Sequence, residues 1–77
     1  MHHELKCERE YFNAINRGFK KFELRKNDRD FQPQDTFELI EVIDGIPTGH
    51  RSTKFEIQYV LRGGQYGLDP DYCIFNW

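Results

Sequence analysis

Lys20, Glu23 and Arg25 lie close together in the stretch Gly18-Phe19-Lys20-Lys21-Phe22-Glu23-Leu24-Arg25, placing an ammonium, a carboxylate and a guanidinium on a strand-like segment that has no structural need of them. If the three converge in a cleft, Lys20 and Arg25 can hold a phosphate or carbonyl oxygen, Arg25 through its planar fork. Glu23 can then accept from an exocyclic amine or from Lys20. A Lys beside a Glu is also the minimal pair for proton transfer in a water-poor site. The plain alternative is a surface ion pair, worth about 0–1 kcal/mol and without functional consequence. Parity decides between these readings. In a regular strand Glu23 and Arg25 share one face while Lys20 shares the other with Phe22 and Leu24, so convergence requires a bulge or irregular backbone between Lys20 and Phe22.

Other residues are candidates by type. Asn27-Asp28-Arg29 reads as a tight turn in which Asn27 or Asp28 caps backbone amides, and Arg29 could reach a ligand beside it. In Gly63-Gly64-Gln65-Tyr66-Gly67, three glycines surround an amide and a flat ring, a combination able to stack on and hydrogen-bond an unpaired base. The alternative is a loop whose glycines serve turns and whose Tyr66 caps the core. No Gly-Lys-Ser/Thr follows, so it is not a P-loop. His3 and Lys6 have opposite parity on the first strand, so at most one faces the cleft, and a lone strand histidine is commonly a structural residue. His2, His3 and Cys7 have no partner cluster at ligand spacing, so neither a metal nor another cofactor is expected.

These residues must be positioned by one early helix and several strands. Residues 2 to 7 read as a strand and Glu8 to Arg17 as a helix, with Tyr11 or Phe12, Ile15 and then Phe19 along its apolar side and Gly18 as its left-handed cap. Phe19 to Arg25, Thr36 to Ile43, Thr53 to Leu61 and Tyr72 to Trp77 read as further strands. In Thr53 to Leu61, Phe55, Ile57, Tyr59 and Leu61 alternate with polar residues, and Asp44 to Gly49 reads as a hairpin connection. The result is an α+β domain of about five mostly antiparallel strands with one helix in its N-terminal half. Its sheet must curl around its aromatic side chains into a small barrel. An exposed last strand ending in Phe75-Asn76-Trp77 could pair with another copy, giving a monomer or a weak homodimer.

The totals bound this reading. Seventy-seven residues suffice for one domain, and 16% aromatic content favours a small ring-built core over disorder. There is no apolar run of membrane-spanning length and no signal-peptide pattern at Met1-His2-His3-Glu4, so a cytoplasmic protein without membrane partners is expected. Cys7 and Cys73 are far apart and outside any C-x-x-C, so two reduced thiols are expected. The net charge is −2, but residues 17 to 29 hold six basic side chains against Glu23 and Asp28, whereas residues 30 to 50 hold five acidic residues and no Lys or Arg. A local cationic cluster in an acidic chain suits a short anionic ligand better than a long duplex.

The pattern G-x-K-x-x-E-x-R over residues 18–25, followed by Asn27-Asp28-Arg29, resembles the signature of ASCH domains, in particular a short, phage-associated, DUF3850-like subgroup. The likeness extends from His3-Glu4-Leu5-Lys6 through Tyr11-Phe12 to Gly63-Gly64-Gln65-Tyr66-Gly67. It implies a PUA-like barrel whose cleft is lined by the octet and binds RNA or nucleotides. A small bacterial relative of that family is an amidohydrolase acting on N4-acetylcytidine. It uses the motif lysine, which Lys20 matches, a threonine three residues on, which is Glu23 here, and a distant glutamate on a segment this chain mostly lacks. A second departure is Gln34-Asp35 where many relatives have Gly-Asp.

The leading expectation is therefore a module for single-stranded RNA or a modified nucleotide, with Lys20, Arg25 and Arg29 on phosphate or base oxygens, Glu23 on a base edge and Tyr66 stacking. Asn27, Gln65 and His3 complete the candidate ligand set. The second is a small hydrolase of an acylated base or nucleoside with Lys20 and Glu23 as its acid and base. The third is a phage or host protein-interaction module using the acidic 30 to 50 surface.

Overall fold

Alternation sets the first strand: His3, Leu5 and Cys7 are buried while His2, Glu4, Lys6 and Glu8 face outward in β1 (His2–Glu8). Glu8 is also the N-cap of α1 (Arg9–Asn16), whose Phe12 and Ile15 enter the core. Gly18, at φ 77°, ends the helix in a Schellman motif, with its N–H donating to the Ile15 carbonyl and that of Phe19 to the Ala14 carbonyl. The expected cap is thus present. Phe19 itself is exposed and does not continue the helix's apolar side.

The computed structural model describes residues 1–77. After the helix come β2 (Phe22–Lys26), β3 (Thr36–Ile43), β4 (Ile46–Arg51), β5 (Phe55–Glu56), β6 (Tyr59–Arg62) and β7 (Tyr72–Asn76). This is a small domain of mostly strands with one short helix. It has seven strands where the sequence suggests about five, and they form two sheets that do not close on one another. In the first, β1 pairs in parallel with β3, His2 beside Thr36 through Glu8 beside Val42, and β4 and β5 pair antiparallel with the other side of β3. In the second, β7 is central, antiparallel to both β2 and β6.

Two expectations are corrected here. The segment 53–61 is not one strand: Ile57 is fully buried, its N–H donates to the Asp35 carbonyl, and the next N–H, of Gln58, donates to the Asn76 carbonyl. The chain therefore changes sheets at Ile57, which leaves Tyr59 exposed despite its apparent alternation. The last strand is not an edge either. Cys73 and Phe75 are buried between β2 and β6, so β7 has no free side for another copy.

The hairpin at Asp44-Gly45 has positive φ at both residues, as a two-residue type I′ turn requires, and extends into β4, a strand the sequence reading treats as part of the connection. Pro47 is tolerated because β4 lies on the sheet edge. The sheets face each other across an aromatic core in which Phe37 lies 5.2–5.3 Å from the rings of Phe55, Phe75 and Trp77. Cys7 and Cys73 are free and buried. No helix is long and apolar enough to cross a membrane.

Candidate functional site

Residues 20 and 21 carry no regular secondary structure, and β2 begins at Phe22. This irregular link after the Schellman cap defeats parity. Lys20 Nζ lies 2.5 Å from Glu23 Oε1, and Arg25 Nε donates to Glu23 Oε2 at 2.7 Å. Glu23 is buried on the inner face of β2, a charged residue where a core strand would carry an apolar one, and both of its oxygens are held. Phe22 and Leu24 show the inverse, being half-exposed on the outer face.

The trio lies in a cleft of about 590 Å³ between the end of β1, the helix and β2, within the range of ligand pockets. Tyr11, Phe22, Leu24 and Tyr72 supply its apolar wall, Lys6, Lys20, Arg25 and Lys26 its cations, and Glu8 and Glu23 its carboxylates. The Lys20 ammonium lies 5.1 Å from the ring centres of both Tyr11 and Phe22. It is thus held by two rings as well as a carboxylate, which fixes its position. Cys7 also borders the cleft, but burial, then the nearby Glu23 charge, pushes its thiol up to about 11. It stays protonated at neutral pH, which makes it a poor nucleophile there. No group of three or more His, Cys, Asp or Glu side chains is placed to hold a metal ion.

Arg25 does a second thing. Its Nη2 donates to the Lys6 carbonyl at 2.7 Å, and Arg29 Nη1 donates to the Glu4 carbonyl at 2.9 Å. Glu4 and Lys6 alternate on β1, so both arginines engage the edge of β1 that β3 leaves open. They tie the first sheet to β2 and to the turn after it.

The family model described as "Domain of unknown function (DUF3850)" matches residues 2–77. The chain belongs to this family. It is also 39% identical over 49 residues to the "Uncharacterized 12.9 kDa protein in GpA 3'region" of Escherichia phage P2. That match covers 64% of this chain and 45% of the phage protein, so the chain spans less than half of that relative. These matches bear out the DUF3850 and phage-associated parts of the sequence resemblance.

The remaining candidates of this DUF3850 domain are dispersed. His3 is buried, its Nε2 2.9 Å from Asp35 Oδ2 and its ring against Phe31, so it faces the core and not the cleft. Asn27 Oδ1 accepts from the Phe31 N–H, which makes it the expected turn cap. Arg29 lines a smaller groove beside Arg25, with Leu5, Lys26, Asp28 and Phe31. Gln65 donates to the Arg62 carbonyl, Tyr66 is almost fully exposed at φ 53°, and neither lines the cleft. Of the acidic 30 to 50 segment, Asp30 and Asp44 are exposed while the other three carboxylates are engaged. Asp35 and Glu41 are buried, Glu41 among Thr48 and Arg9, while Glu38 pairs with Arg51.

Sequence reasoning missed Tyr11, Phe22, Leu24 and Tyr72 as cleft residues. The available signal was the alternation within the octet itself: two hydrophobes opposite a carboxylate and a guanidinium fit a strand whose charges point inward.

Proposed function

We propose that this domain binds a nucleotide unit, free or within single-stranded RNA, in the cleft around Glu23. The observation that carries the reading is the buried Glu23 with one cation on each oxygen, set beneath an aromatic wall of suitable size for a base. Lys6, Lys20, Arg25 and Lys26 outnumber Glu8 and Glu23 there, so an anionic ligand meets net positive charge. The rings of Tyr11, Phe22 and Tyr72 offer a base its stacking surface, the role the sequence reading gives to Tyr66. The resemblance to ASCH domains supports the same reading. Two sheets facing across an aromatic core with a helix at the open end fit a short PUA-like domain whose barrel stays open.

Binding is favoured over hydrolysis because each Glu23 oxygen already accepts from a charged donor, Lys20 or Arg25, with which a substrate proton must compete. The hydrolase reading keeps one support, the direct Lys20–Glu23 contact inside a cleft. An NMR amide-shift titration with nucleosides, including N4-acetylcytidine, and short RNAs tests both. Shifts clustered at residues 6–11 and 20–26 without product are expected. Product that disappears in Glu23→Gln would establish the hydrolase, and no shift with any ligand would end both.

A further inference from the structure

The outer face of the β2-β7-β6 sheet is apolar, uncovered and continuous with the cleft. Register places Phe22, Asn76 and Tyr59 side by side across the three strands, with Leu24, Ile74 and Leu61 in the next row and Lys26 beside Tyr72 in a third. None of these side chains is buried, and Tyr59 is 64% exposed. A sheet face of this composition normally packs against something. Its only formal charge is Lys26, and it carries no carboxylate. Phe22, Leu24, Lys26 and Tyr72 belong to the cleft as well, so the two surfaces share a border.

We propose that this face is a stacking platform for the unpaired bases of a short single-stranded nucleic acid, one nucleotide of which occupies the cleft. The proposal rests on the reading of the cleft as a nucleotide site and assigns a second surface to the neighbouring nucleotides of the same strand. Three arguments favour this occupant. Rings on all three strands, Phe22, Tyr72 and Tyr59, are what sequence-tolerant base stacking uses. The single charge is a cation, the sign a phosphate backbone needs. The face is also small for a stable pairing of two copies: strands of five, four and five residues have a flat footprint of roughly 220 Å² at ordinary strand spacing, well short of a standard interface even allowing for side-chain relief.

Tyr59 separates the two surfaces, because it sits on the far strand and does not line the cleft. Fluorescence anisotropy with a labelled tetraribonucleotide and a labelled mononucleotide is the test. The tetranucleotide should bind at least about tenfold tighter; Tyr59→Ala should remove about tenfold of its affinity, leave the mononucleotide unchanged, and be rescued by Tyr59→Phe. A tetranucleotide that binds no tighter, that is indifferent to Tyr59→Ala, or that is matched by a duplex of equal length overturns the platform while the cleft reading stands. Absence of binding by either ligand overturns both. Concentration-dependent self-association abolished by Tyr59→Ala would make the face an interface between copies and overturn the platform too.

Discussion

The carbonyl of Lys6 accepts from the guanidinium of Arg25 at 2.7 Å across the seam between the two sheets, while the same guanidinium holds Glu23. One side chain thereby fixes the site's carboxylate and closes the seam beside it. A lysine has the charge but not the fork to reach both partners. Arg25→Lys should therefore lower stability by about 1–3 kcal/mol, read as a shift in the urea midpoint, and should weaken ligand binding more than a remote change of equal stability cost.

Lys20 is fixed by Glu23 and two rings and points into the cleft. Lys20→Ala should weaken nucleotide or RNA binding by about tenfold and reduce the slope of log affinity against log salt by about one. Anisotropy titrations over a salt series measure both. An unchanged slope would mean that Lys20 does not meet phosphate.

The His3–Asp35 pair carries a pH dependence. Burial pushes the Asp35 carboxyl up, but hydrogen bonds from His3, the N-terminal amine and the Gln32 N–H outweigh it and hold the group below the usual carboxylate range. A folded pKa below the unfolded one gives stability that is fully present above the unfolded value of about 3.9 and is lost as pH falls through the folded value. The protein should lose stability in that acid window, and Asp35→Asn, less stable at neutral pH, should flatten this limb of a plot of Tm against pH.

Two backbone positions give opposite expectations. At Gly63 an added Cβ would lie 1.9 Å from the Asp69 carbonyl oxygen and 2.6 Å from that of Tyr72, so Gly63→Ala should cost about 1–3 kcal/mol or more. Gln34 has φ 74°, where a side chain is strained. Gln34→Gly should be neutral or stabilising by up to about 1 kcal/mol, relief of strain being offset by a more flexible unfolded chain. Thermal melts of the two variants should move in opposite directions or in one direction only for Gly63→Ala.

Cys7 and Cys73 should not react with a thiol reagent at neutral pH until the protein unfolds. Burial pushes both thiols up, Cys7 to about 11. Rapid labelling of the native protein would contradict the packing of β1 and β7.

Local signals were legible in the sequence: the Gly18 cap, the bounds of β3, the Asn27 turn and the break in parity at Lys20. What was not legible came from pairings between distant segments. His3 acquires its buried role from Asp35, which the parallel β1–β3 register brings to it, and no pattern near His3 announces that. Ile57 looks like one step in an alternation, yet the Asp35 and Asn76 carbonyls on either side turn the chain from one sheet to the other. Tyr66 looked like the stacking ring because glycines surround it, whereas the rings at the cleft, Tyr11, Phe22 and Tyr72, come from three separate elements.

β2 pairs with β7 alone in this sheet, and β7 is made long after it. During synthesis the octet emerges early but its partner emerges some fifty positions later, an order that favours slow, late assembly. Until residues 72–76 have been added, Glu23 and Arg25 have no strand beside them and Tyr72 is missing from the wall, so a nascent chain carries the motif without the cleft.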